Sequence, residues 1–225
     1  MSGIDLQSLG LTLRLAALVT ATLLVLATPL AWWLARSRSR AAPVIEALTT
    51  LPLVLPPTVI GFYLLLAFAP VAPLGQLWLG LTGRPLAFSF AGLFFASLIY
   101  SLPFAVQPVQ AAFTLLGRAP LDAAASLGAR PLDAFLTVAL PLSARGYLTA
   151  AVLTFAHTLG EFGVVLMVGG NIPGQTRLIS LALYEEVERM DYGAAHRLSA
   201  LLLFLSFATL LALYLLNRRS RDVRR

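Results

Sequence analysis

The sequence of 225 residues contains no cysteine and no lysine, and all 16 of its basic residues are arginine. Without cysteine the chain has no disulfide, no thiolate metal site and no cysteine nucleophile. Without lysine it has no phosphate-binding loop of the Gly-Lys-Ser/Thr type. Only His157 and His196 could supply imidazole ligands, and no HExxH or GxSxG sequence occurs. We therefore expect a chain that is not an enzyme and that binds no metal and no cofactor itself.

Charge is also scarce: 12% of the residues are charged and 59% are hydrophobic, with a mean hydropathy of +0.85. Such a composition is typical of an all-α integral membrane protein. A helix needs roughly 20 apolar residues to cross a bilayer. Five runs meet this length, at residues 11–34, 53–72, 86–106, 147–168 and 198–216. We expect one transmembrane domain over residues 1–225 with five membrane helices, or six if a short helix lies within residues 132–142.

The arginines lie beside the predicted spans, so we interpret the net charge of +6 as a topology signal and not as a nucleic-acid surface. With five spans, three groups of arginines fall on one side of the membrane. They are Arg36, Arg38 and Arg40; Arg118, Arg130 and Arg145; and Arg218, Arg219, Arg221, Arg224 and Arg225. Cytoplasmic loops retain basic residues. This pattern predicts a protein of the cytoplasmic (inner) membrane with its N-terminus outside and its C-terminus in the cytoplasm.

Prolines and glycines interrupt several of these spans, which in a membrane indicates either backbone that lines a cavity or ordinary helix packing. Pro56 and Pro57 predict that the helix of the second span begins near Pro57. Pro103 and Pro108 predict a kink near the inner end of the third span. After the fourth span, the glycines at 169 and 170 predict a helix end, and residues 176–189 predict a short amphipathic helix at the outer surface.

One acidic residue, Glu161, lies well inside the apolar run of the fourth span. It follows Arg145 by 16 residues, or roughly 24 Å of helix, in a hydrocarbon core of about 30 Å. An ionisable residue in such a place indicates a functional site. His157 stands four residues earlier, and we expect both side chains on one helical face. The pair could be a proton relay of an ion-coupled carrier, or a structural or gating pair.

Residues 122–141 form a moderately polar insert between long apolar runs. Pro120 and Asp122 suit the first turn of a short helix, Gly128 can end that helix, and Pro131 can open a second one. The pattern predicts a cytoplasmic helix-bend-helix hairpin. Its small and apolar members suit a groove in another protein: Leu121, Ala123, Ala124, Ala125, Leu127, Phe135 and Leu136. An amphipathic loop resting on the inner leaflet is the competing interpretation.

Several residues of this insert resemble the cytoplasmic coupling motif of the binding-protein-dependent ABC importer permeases. The matching residues are Asp122, Ala123, Ala124, Gly128, Phe135, Leu140 and Pro141. The motif of that family generally begins with glutamate, so Asp122 is shorter by one methylene. Residues 51–66, 160–163 and 171–177 are similar to the corresponding segments of the small permeases of molybdate importers. The sulfate and tungstate permeases are similar enough to be alternatives.

The resemblance implies a permease that moves an oxyanion by alternating access. It implies a homodimer, an external oxyanion-binding protein and a cytoplasmic ABC ATPase dimer that uses ATP and magnesium. It assigns ATPase coupling, within a region at residues 118–145, to Asp122, Ala123, Ala124, Leu127, Gly128, Arg130, Phe135 and Pro141. For the translocation pathway or gate we expect hydroxyls, backbone amides and small residues: Thr58, Gly61, Gly160, Glu161, Gly163 and Asn171. A proton-coupled carrier that uses His157 and Glu161 is the alternative from a different class.

Overall fold

The computed structural model describes residues 6–222, and the side chains of residues 6–215. The arginines at 218, 219 and 221 therefore have no described side chains, and Arg224 and Arg225 lie outside the described residues. Within 6–222 the chain is helical, with no strand. Its helices are α1 Leu6–Arg36, α2 Ala42–Val54, α3 Pro57–Phe68, α4 Pro73–Thr82, α5 Phe90–Leu116, α6 Ala119–Ser126, α7 Pro131–Ala134, a π-helical turn Phe135–Ala139, α8 Leu140–Leu142, α9 Ala144–Leu159, α10 Gly163–Gly169, α11 Ile179–Glu188 and α12 Tyr192–Asp222.

Three of these helices are long and apolar enough to cross a membrane: α1, α5 and α12. They coincide with the first, third and fifth predicted spans, although α5 continues past Pro103 and Pro108 to Leu116. Two further candidates are pairs of helices joined at a sharp bend. The bend between α2 and α3 is 111°, and the bend between the helical segment Pro131–Leu142 and α9 is 66°. If each bent pair is one span, the described chain has five.

The core lies where α1, α5 and α9 pack together. A stripe of α1 residues spaced four apart is fully buried: Leu15, Val19, Leu23, Ala27 and Ala31. The four-residue spacing keeps these side chains on one face of the helix. Val106, Val109 and Phe113 of α5 belong to the same buried cluster. Ala27 and Ala31 have small side chains, which let the helices approach closely. Close packing is important for association of helices in a membrane, because lipid removes the hydrophobic driving force.

The second predicted span, residues 53–72, contains the end of α2, the break after it and the whole of α3. Leu55 and Pro56 are extended, with ψ of 140° and 135°, and they separate α2 from α3. A proline disfavours helical geometry in the residue before it, and here two prolines follow one another. The prediction that a helix begins at Pro57 is confirmed. The resulting α3 has 12 residues and ends at Phe68, which makes it a half-helix.

The fourth predicted span, residues 147–168, is also interrupted. Helix α9 ends at Leu159, and Phe162 leaves helical geometry with φ of −130° before α10 begins at Gly163. A break frees backbone groups that a helix would satisfy. The Ser180 hydroxyl of α11 meets part of that need, because it donates to the Glu161 carbonyl oxygen at 2.6 Å. The predicted end of this region is confirmed, since Gly170 follows α10 with a φ of +63°.

Candidate functional site

A cavity of about 570 Å³ lies where the two half-helices α3 and α10 meet α5 and the end of α9. Its wall includes Thr58, Tyr100, His157, Gly160, Glu161 and Gly163. Four of the residues that the sequence predicted for the pathway are therefore brought together here: Thr58, Gly160, Glu161 and Gly163. The remaining wall is largely apolar. A mostly apolar pocket with a few convergent polar groups is the usual form of a small-ligand site.

Glycines allow α3 and α10 to pack closely beside this cavity. A Cβ placed on Gly61 would lie 2.8 Å from the Cβ of Met167, and one placed on Gly163 would lie 2.8 Å from the Cβ of Pro57. Both separations are shorter than real Cβ contacts, so larger residues would force the half-helices apart. Gly61 is thus a packing residue that does not line the cavity.

Glu161 is the most unusual side chain of the wall. It is 3% exposed, and its Oε2 accepts a hydrogen bond from the Ser97 hydroxyl of α5. Its other oxygen, Oε1, has no hydrogen-bond partner among the described residues. An ionised carboxylate buried without an opposite charge is costly, so such a group requires a partner or a proton. Glu161 is therefore a buried acidic group whose side chain receives one hydrogen bond from the described residues.

His157 is held separately from Glu161. Its Nδ1 lies 3.0 Å from the Ser101 hydroxyl, and its ring stacks on Phe104 with centroids 4.0 Å apart. The prediction that His157 and Glu161 share one helical face is wrong, because α9 ends at Leu159, between them. Each binds its own serine of α5, and these serines are four residues apart. The sequence analysis missed Ser97 and Ser101, although hydroxyls at helical spacing in an apolar run are a usable signal.

Asn171 lies outside the cavity, in a polar network between α10 and α11. Its Oδ1 accepts from Arg177 Nε at 3.1 Å, and its Nδ2 donates to Glu185 Oε2 at 2.9 Å. Arg177 and Arg189 both form ion pairs with Glu185. This network fixes the turn after α10 against α11. Asn171 is therefore part of a structural network and, like Gly61, does not line the cavity.

The hairpin predicted at residues 122–141 is present as α6, a turn, α7 and the π-helical turn. Gly128 has a φ of +85°, which favours glycine, and α7 begins at Pro131. The hairpin exposes Asp122, Ala123 and Arg130 and also three leucines. Leu127 is 89% exposed and Leu132 is 66% exposed. An exposed apolar tip of this kind indicates a contact with another protein or with lipid.

Two members of the predicted coupling set face inward instead. Ala124 is buried, and the Phe135 ring lies edge-on to Trp32 of α1 with centroids 4.7 Å apart. The Arg36 guanidinium covers the Trp32 ring at 3.1 Å from its centroid. Such aromatic and cation–π contacts stabilise a fixed geometry. Phe135 therefore packs the hairpin against α1, whereas the side chains of Leu127 and Asp122 are exposed on the hairpin surface. Pro141 is exposed, within α8.

The broken helices, the cavity beside them and the projecting hairpin define a helical membrane protein built for transport. The chain belongs to the family described as "binding-protein-dependent transport system inner membrane component", whose model matches residues 27–222. It is therefore an ABC importer permease, a membrane subunit and not an enzyme. ATP is hydrolysed by a separate ATPase chain.

Relatives of known function are similar over most of the chain. The molybdenum transport system permease protein ModB of Azotobacter vinelandii is 55% identical over 212 residues, which cover 93% of each chain. ModB of Escherichia coli K12 is 34% identical over 221 residues, covering 96% of this chain and 95% of that one. The sulfate transport system permease protein CysT of Synechocystis is 32% identical, covering 88% and 68%.

Solved structures share the fold at low identity. An inward-facing MetNI methionine ABC transporter matches with a TM-score of 0.75 at 17% identity, covering all of both chains. A bacterial ABC transporter for the acidic polysaccharide alginate matches with a TM-score of 0.73 at 15% identity, covering 100% of this chain and 82% of that one. These likenesses confirm the all-α permease fold.

Proposed function

We propose that this chain is the permease subunit of an ATP-driven importer of molybdate. The observation that supports molybdate as the substrate is the 55% identity to a molybdenum transport permease over 93% of both chains. Sulfate is the competing substrate, because a sulfate permease is 32% identical over 88% of this chain. Both are tetrahedral dianions, so one kind of pathway could serve either.

The chemistry of the cavity suits passage of an oxyanion without tight binding. Its wall offers the hydroxyls of Thr58 and Tyr100, and no arginine lines it among the described residues. An arginine cage would hold a dianion strongly and slow its release. A wall with hydroxyls and without arginine supports transfer instead.

Partner chains complete the proposed mechanism. Two copies of the permease enclose the pathway, an external binding protein delivers the oxyanion, and two cytoplasmic ATPases bind the hairpins of the region 118–145. Residues 1–225 act as a single transmembrane domain. When ATP closes the ATPase pair, the hairpins move together and the permease opens outward, and loss of ADP and phosphate returns it inward. The nucleotide thus shifts the populations of two permease states.

We propose the orientation with the N-terminus outside and the hairpin and C-terminus in the cytoplasm, from the arginine pattern. The natural chain has no cysteine, so single introduced cysteines report their side cleanly. In intact cells, a membrane-impermeant maleimide is expected to label Thr82→Cys, in the exposed end of α4. Ser126→Cys, in the exposed end of α6, should be labelled only after permeabilisation. The reverse pattern would overturn this orientation.

Vesicle uptake tests the substrate. The permease, co-purified with the ATPase and the binding protein of the same system, is reconstituted, and uptake of labelled molybdate is measured in competition with tungstate and sulfate. We expect uptake that requires ATP and the binding protein, strong competition by tungstate and weak competition by sulfate. The mass of the purified permease–ATPase complex should correspond to two copies of this chain and two copies of the ATPase.

Two outcomes would contradict the proposal. Sulfate imported at the highest efficiency would replace molybdate as the substrate. Accumulation driven by an imposed pH gradient, without the ATPase, would favour the proton-coupled carrier.

A further inference from the structure

The turn between α11 and α12 carries several exposed apolar side chains within a short segment. They are Tyr184, Val187, Met190 and Tyr192, and we call them the tip patch. Val187 follows Tyr184 by three residues, so these two side chains lie on one face of α11. Exposed apolar groups of this kind indicate contact with lipid or with another protein. The level of the turn relative to the membrane distinguishes the two.

Helix α1 provides a scale for that level. Arg14 is exposed, with its guanidinium over the Phe90 ring, and α1 ends at Arg36. The 22 residues from 14 to 36 correspond to about 33 Å of helix, close to a hydrocarbon core of about 30 Å. Arginines suit the two ends of a membrane-crossing segment, where their charged groups reach water. In the proposed orientation, residues 6–13 therefore project from the membrane on the outer side.

Helix α11 and the start of α12 pack on this projecting part of α1. The Ile179 N–H donates to the Thr12 hydroxyl at 2.9 Å, and Leu9 packs against a buried cluster that includes Ile179 and Leu198. Helix α12 begins at Tyr192, six residues before Leu198, which is about 9 Å of helix further outward. The tip patch therefore stands beyond the lipid. A protein partner explains its exposed apolar surface, whereas lipid does not.

Met190 occupies a backbone position that favours glycine. Its φ is +60°, and two hydrogen bonds of 3.0 Å close the end of α11 around it. The Met190 N–H donates to the Val187 carbonyl, and the Asp191 N–H donates to the Glu186 carbonyl. At a helix end of this form, glycine is the usual residue. The Met190 side chain is 75% exposed and supports no internal packing, so its place in a strained conformation points to an external contact.

The charged groups around the patch already have partners within the chain. Glu185 and Glu186 both pair with Arg189. Asp191 accepts a hydrogen bond from the Ala194 N–H at the start of α12. The apolar side chains are therefore the groups that remain available. A partner surface that fits them is apolar at its centre and polar at its rim.

Helix α11 also connects the patch to the cavity. The Tyr184 ring lies with its centroid 4.9 Å from that of Phe162, which lines the cavity. The Ser180 hydroxyl donates to the Glu161 carbonyl at the break after α9. A protein seated on the patch thus contacts the helix that packs on the break. In a binding-protein-dependent permease, the external protein that acts at such a place is the one that delivers the substrate.

We infer that the tip patch is a contact surface for the external oxyanion-binding protein, and that the Met190 side chain is buried in this contact. The inference rests on the proposed function and orientation, and it specifies where the partner touches this chain.

Replacing Met190 by glycine should affect folding and binding in opposite directions. Glycine relieves the left-handed backbone, so the apparent Tm of the permease should stay equal or rise. In vesicles that contain the permease–ATPase complex, the concentration of molybdate-loaded binding protein that half-maximally stimulates ATP hydrolysis should rise about tenfold or more, because burial of a methionine side chain is lost. Basal hydrolysis and the maximal stimulated rate should not change. Structural damage would instead lower the Tm and the maximal rate.

Met190→Leu is the matched control. It keeps an apolar side chain on the same strained backbone, so the half-maximal concentration should stay within about twofold of that of the natural protein. A second measurement does not depend on the glycine variant. Purified Met190→Cys, labelled with a maleimide that carries a photoreactive benzophenone, should cross-link to the molybdate-loaded binding protein.

Three results would overturn the inference. They are an unchanged half-maximal concentration for Met190→Gly, equal impairment of Met190→Leu and Met190→Gly, and cross-linking of Met190→Cys only to lipid or to a second copy of this chain. If Met190→Gly does not assemble with the ATPase, the cross-link decides alone. A natural complex that imports no oxyanion would contradict the proposed function instead.

Discussion

Replacing Leu127 by asparagine should uncouple the permease from its ATPase while leaving the permease folded. Leu127 is 89% exposed at the end of α6, so the fold does not depend on its side chain. Burying a leucine at an interface contributes about 1.5–3 kcal/mol, and its loss weakens each contact roughly 10- to 150-fold. Asparagine suits the end of a helix, which limits any local effect. The measurements are co-purification of the ATPase and ATP hydrolysis stimulated by the binding protein.

Val71→Asn provides the matched control. Val71 is similarly exposed but lies between α3 and α4, away from the hairpin. We expect the ATPase to co-purify normally with this variant. Equal behaviour of Leu127→Asn and Val71→Asn would remove the hairpin tip from the ATPase contact and favour the interpretation that it rests on lipid.

Gly146→Ala should lower the stability of the permease itself. A Cβ on Gly146 would lie 2.8 Å from the carbonyl oxygen of Pro108, a backbone atom that cannot turn aside. The contact joins α9 to α5, the centre of the bundle. Overpacking of this kind costs about 3 kcal/mol, which lowers the apparent Tm of a chain this size by about 6–12 °C. Thermal unfolding in detergent, followed by fluorescence or light scattering, measures it.

Gly80→Ala is the control for the change of residue type. Gly80 lies within helix α4, and a Cβ placed there meets nothing within 4 Å. Because alanine is the better helix former, this variant should equal or slightly exceed the natural stability. Loss of stability in both variants would indicate that backbone freedom, and not the close approach of α9 to α5, explains the effect at Gly146.

The sequence alone predicts the membrane class and most helix boundaries that depend on local rules. Pro57, Gly128, Pro131 and Gly170 act through their own backbone preferences, which any window of sequence shows, and all four positions agree with the structure. Hydropathy averages over such interruptions, so it joined α9 and α10 into one span. The break at Gly160–Phe162 depends on a distant residue: the Ser180 hydroxyl of α11 donates to the Glu161 carbonyl oxygen. Local sequence does not show this hydrogen bond.

Pairings between distant residues were beyond the reach of the sequence. Phe135 packs on Trp32, about a hundred residues away along the chain, and no local pattern predicts this contact. The sequence indicated a functional role for Glu161, because it is a carboxyl group within an apolar run. Its hydrogen-bond partner, Ser97, lies 64 residues away on α5. The four-residue spacing therefore predicted His157 as the partner of Glu161, whereas His157 contacts Ser101. The sequence identified Glu161 as unusual, and only the packing of α5 beside the break between α9 and α10 identified its environment.

The interruption between α9 and α10 also bears on dehydration. A small dianion is strongly hydrated, and an unbroken apolar helix would strip its water without compensation. At this break, backbone groups and the Thr58 hydroxyl stand beside the same cavity of about 570 Å³, which is large enough to hold the ion with several waters. In the proposed pathway, the ion exchanges its hydration shell in parts and regains it on the far side. On this view, the broken helix lowers the barrier to solvation changes during passage, besides opening space for the substrate.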